Sequence, residues 1–220
     1  MLEIACFEIT SAETAMKSMA DRIEFCAHFE LGGTTPDFYE FLHLKRTYKI
    51  PIYVMIRPKG GPFFYSEAEF IQMKSSIISF KEAAADGFVF GILDSHNEID
   101  EEKNAELLEL AGEIPCTFHR AFDRTSDLEK SIEILIKLGF KTVLTSGGKS
   151  DAIKGKENLK NLIEKYGDQI EILIGGGVRS ENISALKKLT GGTSFHSSAI
   201  LKYDTFVTEG EIKKLKQLSS

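Results

Sequence analysis

Eight short apolar runs, each rich in β-forming residues, alternate with helix-length segments along this chain, and that alternation constrains its fold more than any single motif. The spacing predicts strands at Leu2–Cys6, Arg22–Cys26, Ile52–Ile56, Phe88–Leu93, Cys116–His119, Thr142–Thr145, Glu171–Ile174 and Ser194–Ser197. Capping-box spacing, a hydroxyl followed three residues later by Glu, marks helix starts at Thr10/Glu13, Ser66/Glu69 and Ser126/Glu129. Apolar periodicity predicts further helices over Asp37–Tyr48, Glu101–Leu110, Lys156–Tyr166 and Ser180–Leu189, and a last one at Glu209–Leu218. Strict strand–helix alternation implies parallel strands, arranged as a closed barrel or an open doubly wound sheet. Eight evenly spaced units favour the barrel. The loop after the first strand, Phe7-Glu8-Ile9-Thr10, also lacks the glycine fingerprint of an open dinucleotide-binding sheet. The expected fold is α/β, a single-domain (β/α)8 TIM-like barrel over residues 1–220, shorter than the about 250 residues typical of the class.

Composition narrows the function classes. Hydrophobic content of 42% and charged content of 27% are ordinary for a globular domain, which argues against disorder. A net charge of −6 without any Lys/Arg block argues against nucleic-acid or anionic-membrane partners. The apolar runs are strand-sized, too short to span a bilayer, and the first residues read as a strand rather than a leader peptide. Three cysteines do not make a disulfide framework and suit a reducing cytoplasm. No Pro/Gly/Ser linker divides the chain.

In a barrel, side chains alternate between lumen and helix ring, and ligands bind at the C-terminal ends of the strands. With the larger apolar set facing the helices, Leu2, Ile4 and Cys6 of the first strand point outward and Glu3 inward. By the same rule Glu24 and Cys26, Arg57, His119 and His196 face the lumen, with Arg120 and Asp123 just above. The segment Thr117-Phe118-His119-Arg120-Ala121-Phe122-Asp123 places three kinds of ionisable group where an apolar run ends, which burial tolerates only with partners. Glu3, Glu24 and Arg57 could form a self-satisfying ion network. Carboxylates, imidazoles and guanidinium groups from different strands are also the composition of acid/base chemistry or of a metal site. The candidate catalytic set is therefore Glu3, Glu24, Arg57, His119, Arg120, Asp123 and His196.

Three loops could bind an anion. Gly175, Gly176 and Gly177 follow the seventh strand, Ser197 and Ser198 end the eighth, and Ser146 and Gly147 follow the sixth. Loops after strands seven and eight of many barrels bind phosphate through backbone N–H groups, although a glycine triplet also suits a tight turn. The loop Arg57-Pro58-Lys59-Gly60-Gly61-Pro62 reads as a stiff wall, and Gly32-Gly33-Thr34-Thr35-Pro36 as either helix entry or a ligand contact.

Taken together, several segments resemble the CutC family. They are Leu2-Glu3-Ile4 with Cys6, Ala20 to Ala27, Gly32 to Pro36, Met55 to Gly61, Thr117 to Asp123, Leu144 to Gly147, and Phe195 to Ala199. They run in consistent order across nearly the whole chain; the tail beyond Ala199 carries no family motif. The resemblance implies a cytoplasmic barrel handling copper, with Cys6 and Cys26 as the Cu(I) ligands and no organic cofactor. Cu(I) favours thiolates, yet alternation sends Cys6 outward and Cys26 inward. His28 is a possible extra ligand beside Cys26, and Cys116 reads as packing. Phe25 stands where the family usually carries Leu. The alternative is an enzyme acting on a small anionic or phosphorylated metabolite. Glu24 or His119 would then be general base with the other or Glu3 as acid, Arg57 and Arg120 would hold the anion, and Gly176, Gly177 and Ser197 would cradle a phosphate. A third reading is a non-catalytic scaffold. The expected partner is a small molecule or metal ion, and a homo-oligomer paired through helix faces is possible.

Overall fold

The computed structural model describes residues 1–202 and 204–219; Tyr203 and Ser220, which fall within the expected domain 1–220, lie outside the described residues. Its strands are β1 (Leu2–Cys6), β2 (Arg22–Phe25), β3 (Ile52–Met55), β4 (Gly87–Phe90), β5 (Cys116–Phe118), β6 (Thr142–Thr145), β7 (Glu171–Ile174) and β8 (Phe195–Ser197). They pair in sequence order, all parallel, and β1 closes on β8 through Leu2↔Phe195, Glu3↔His196 and Ile4↔Ser197. The helices are α1 (Ile9–Lys17), α2 (Phe38–Thr47), α3 (Glu67–Glu82), α4 (Glu101–Ala111), α5 (Leu128–Leu138), α6 (Lys156–Tyr166), α7 (Ile183–Thr190) and α8 (Glu209–Ser219). The expected (β/α)8 barrel is the observed one.

Alternation sorts the side chains into two apolar clusters. Leu2, Ile4, Cys6, Ile23, Phe25, Ile52 and Val54 belong to the large cluster they share with the helices. Cys26, Met55 and Val89, with Phe7 and Tyr53 against them, form a small separate cluster from the opposite set of strand positions. The lumen side is thus only partly apolar, and the charged residues share it.

Most departures from the expected boundaries occur where side chains compete for helix-end or strand-end groups. Ser66 and Glu69 form the predicted capping box. The first helix is capped instead by Glu8, whose carboxylate accepts from the Ser11 amide at 3.1 Å and hydroxyl at 2.7 Å, leaving Thr10 inside the first turn. Asp127 caps α5 because the Ser126 hydroxyl is drawn to Glu98 at 2.5 Å. Helix α7 starts at Ile183 rather than Ser180, whose amide and hydroxyl both donate to Glu211 of α8 at 2.7 Å. Strand β4 stops at Phe90 rather than Leu93, and the glycine that follows makes room for an imidazole: a Cβ on Gly91 would lie 2.7 Å from His119 Nδ1. No helix among the described residues is long and apolar enough to cross a membrane.

Candidate active site at the barrel mouth

A cavity of about 270 Å³ opens at the C-terminal ends of the strands. Glu24, Arg57, His119, Arg120 and His196 line it, together with Gly176, Gly177, Arg179, Ser197 and Ser198. Glu3 and Asp123 are absent from its wall. Each supports a neighbour that is present.

Glu3 is fully buried beneath the cavity. Its Oε2 accepts from Arg22 Nε, and its Oε1 meets His196 Nδ1 at 2.7 Å. Burial alone would raise the Glu3 carboxyl, but the Arg22 charge and the hydrogen bonds from His196 and Arg22 hold it below the usual carboxylate range. Burial would likewise lower His196; the bond to Glu3 and the charges of Glu24 and Glu3 outweigh it and raise this imidazole above its ordinary value. With Nδ1 bound to Glu3, His196 turns Nε2 toward Glu24, 3.9 Å from its Oε2. Glu24 is pushed up by burial, with the Glu3 charge adding to the shift and His196 opposing it. The result is a carboxylate–imidazole–carboxyl line that runs from the barrel interior to the mouth.

His119 is different in kind. Its Nδ1 accepts from the Ala121 amide at 3.3 Å, which assigns the ring proton to Nε2. Burial, then the Arg57 charge, lower its pKa to about 3, so the ring is neutral and its Nε2–H is a donor. Arg57 is buried among carbonyls: Nη1 donates to Leu31 and Gly33 at 2.8 Å and Nη2 to Gly61 at 2.9 Å. The bonds to Leu31 and Gly33 clamp the loop after β3 to the one after β2. Among the described residues, Glu24 Oε1, Arg57 Nε and His119 Nε2 are buried without any hydrogen-bond partner, and all three residues line this one cavity.

Asp123 organises the loop after β6. It accepts from Arg120 Nε, the Thr145 hydroxyl, the Ser146 amide and hydroxyl, and the Gly148 amide, at 2.5–3.2 Å. Ser146 is therefore engaged internally, and so is Gly147, whose amide donates to Thr145 Oγ1 at 2.9 Å. The Gly175 amide is likewise tied to the Thr145 carbonyl at 2.9 Å. Of the residues expected to bind an anion, Gly176, Gly177, Ser197 and Ser198 reach the cavity. Sequence reasoning missed Arg22 and Arg179. The first was legible by parity with Glu24 in β2, and the second directly follows the glycine triplet and Val178.

The cysteines diverge. Cys6 belongs to the helix-facing cluster, with its thiol 3.6 Å from the Ile4 carbonyl; Cys26 belongs to the lumenal one, with its thiol 3.4 Å from Glu24 Oε2. Burial, reinforced by the Glu24 charge, pushes both thiols well above their ordinary value, and burial alone takes Cys116 to about 12. A single Cu(I) ion bridged by both thiolates does not fit this arrangement. Donor atoms of Glu3, Glu24 and His196 lie within 4.8 Å of one another, an oxygen and nitrogen set better suited to a harder ion than to Cu(I). His28 bonds Thr34 Oγ1 at 2.7 Å through Nδ1.

The fold and mouth define a TIM barrel with an ionisable, partly unsatisfied pocket at its strand C-termini. The chain belongs to the CutC family, whose model matches residues 1–201. It is 41% identical over 199 residues to the human copper homeostasis protein cutC homolog, covering 90% of this chain and 73% of that protein. A family protein CutC of Xanthomonas campestris pv. campestris is 37% identical over 198 residues, covering 90% and 82%. Among solved structures, a copper homeostasis protein CutC from Streptococcus agalactiae superposes with a TM-score of 0.86 at 34% identity, covering 90% of this chain and 98% of that one.

Proposed function

We propose that the mouth of this barrel is the active site of an enzyme that moves a proton on a small anionic metabolite. The reading is carried by Glu24, Arg57 and His119, which line one cavity and hold three of the six buried side-chain atoms without a partner among the described residues: Glu24 Oε1, Arg57 Nε and His119 Nε2. Leaving such groups unpaired costs about 1–3 kcal/mol each, which a bound ligand would recover. Glu24 is the acid/base: burial has raised it, and His196 at 3.9 Å shares its proton equilibrium. Glu3 orients His196 and stabilises its protonated form. His119 is a neutral donor rather than a base. With Arg57 Nε it would bond an oxygen that gains negative charge as the proton leaves. The test is a thermal-shift screen of organic acids and sugar phosphates, followed by turnover assays on the hits. Glu24→Gln should lower turnover at least about 100-fold while the ligand still binds. A library that never stabilises the wild-type protein would overturn the reading.

The names of the relatives support a second reading, a role in copper homeostasis. Its structural support is the lumenal sulfur pair. A Cβ on Gly33 would lie 3.5 Å from both Cys26 Sγ and Met55 Cε, which puts a thiol and a thioether on one side of the lumen. Cys6 would join Cys26 on Cu(I) only if the end of β1 turned its side chain inward. The free thiols of Cys6, Cys26 and Cys116 favour a cytoplasmic setting for either role.

A further inference from the structure

The loops after β7 and β8 hold a set of donors that the acid/base reading leaves unused. Among the described residues, the backbone N–H groups of Gly176, Gly177 and Ser198 donate to no acceptor, and all three residues line the mouth cavity. Gly176 and Gly177 have φ of 92° and 79°, a region closed to most side chains, and a Cβ on Gly176 would also meet Ser146 Cβ at 2.9 Å and Arg120 Cζ at 3.3 Å. The backbone there is bare on the side where the Arg120 guanidinium lies.

Arg179 supplies the charge behind these amides. Its guanidinium is fixed by neutral acceptors: the Ile200 carbonyl at 3.0 Å, the Val178 carbonyl at 2.7 Å, Ser197 Oγ at 3.2 Å and Ser198 Oγ at 2.9 Å. No carboxylate among the described residues lies within ion-pair distance of it. Ser197 in turn donates to the Val178 carbonyl at 2.6 Å, which ties the two loops together. Ser198 accepts from Arg179 and keeps its own hydroxyl proton free to donate. Glu211 and Glu181 act on Arg179 only from beyond contact, and a half-buried cation hydrogen-bonded to neutral groups alone, beside three free amides, is an incomplete site for a negative charge.

We propose that these loops bind the phosphoryl group of a phosphomonoester through the amides of Gly176, Gly177 and Ser198, the Ser198 hydroxyl, and the charges of Arg179 and Arg120. The inference rests on the acid/base reading above and names its substrate class. A tetrahedral dianion offers enough acceptor oxygens for this many donors, whereas a carboxylate offers two. The handle lies next to the chemistry. A Cβ on Gly175 would touch His196 at 3.4 Å, and His196 Nε2 is 3.9 Å from Glu24. The handle and the acid/base pair line one cavity of about 270 Å³, so one short phosphorylated metabolite would reach both.

The test titrates inorganic phosphate into the uniformly 15N-labelled wild-type protein and follows its amide signals. Saturable downfield shifts of the Gly176, Gly177 and Ser198 protons are expected, with competition by simple phosphomonoesters. Arg179→Gln should weaken phosphate binding about tenfold. No saturation at millimolar phosphate, or saturation that shifts amides elsewhere, overturns the proposal without relying on any variant. Turnover by the wild-type protein separates the two readings. Phosphate that still shifts the three amides in a protein that turns over no phosphorylated metabolite keeps the handle and sinks the acid/base reading. Turnover of an anion lacking phosphate, with those amides silent, does the reverse.

Discussion

The Cys26 amide donates to the Cys6 carbonyl at 2.8 Å, yet the two thiols belong to apolar clusters on opposite faces of the barrel wall. Adjacent parallel strands bring the two backbones together, and the period of two then sends the side chains apart. Backbone proximity of Cys6 and Cys26 is therefore not thiol proximity.

The two cysteines should behave differently toward Cu(I). Cys26 faces the lumen beside Glu24 and Met55, so Cys26→Ser should remove binding measured by competition with a chromogenic Cu(I) chelator. Cys6→Ser changes a packed core position and should leave the stoichiometry unchanged. Equal loss in both variants would mean that the end of β1 rearranges to present Cys6 to the metal.

Stability should depend on pH through His119 and His196 with opposite signs. His119 falls from an ordinary 6.5 to about 3 in the folded protein. As pH drops below 6.5 the unfolded ring takes a proton that the folded one refuses, and stability is lost. His196 is raised above 6.5, so its contribution is complete below that value and fades as pH rises through the elevated folded value. His119→Asn should flatten the melting-temperature profile between about pH 5 and 6.5, where most carboxylates stay ionised. His196→Asn should flatten it on the alkaline side. Profiles that keep the wild-type slopes in both variants would show that neither ring titrates as its surroundings dictate.

The sequence carried the barrel because its signal is redundant: eight runs at period two, each followed by a helix pattern, agree with one another. Parity alone placed Glu24, His119 and His196 on the lumen side, and the structure gathers them on one wall with Arg57. What stayed hidden depends on which partner captures a group. Nothing local distinguishes Ser146, whose donors are taken by Asp123 and Lys149, from Ser198, whose amide is free. Arg22 is the base of the Glu3 network only because β1 and β2 set Glu3 opposite it in register. That alignment is a property of the closed sheet, not of either segment.

Asp123 is the remaining ionisable group of the Thr117–Asp123 segment, and its contacts argue for support of the loop rather than proton transfer. One carboxylate gathers donors from Arg120, Thr145, Ser146 and Gly148, and so fixes both the loop after β6 and the guanidinium that flanks Gly176. Asp123→Ala would leave those donors facing one another without an acceptor, at a cost of about 3 kcal/mol in urea unfolding. Amide exchange at residues 145–148 should accelerate with it, and Asp123→Asn, which keeps one acceptor oxygen, should fall between. Phosphate affinity should drop in parallel with loop order, because Arg120 loses the contact that aims it. If Asp123→Ala leaves exchange and stability unchanged while activity alone disappears, the carboxylate acts on substrate directly and its place among the catalytic groups is restored.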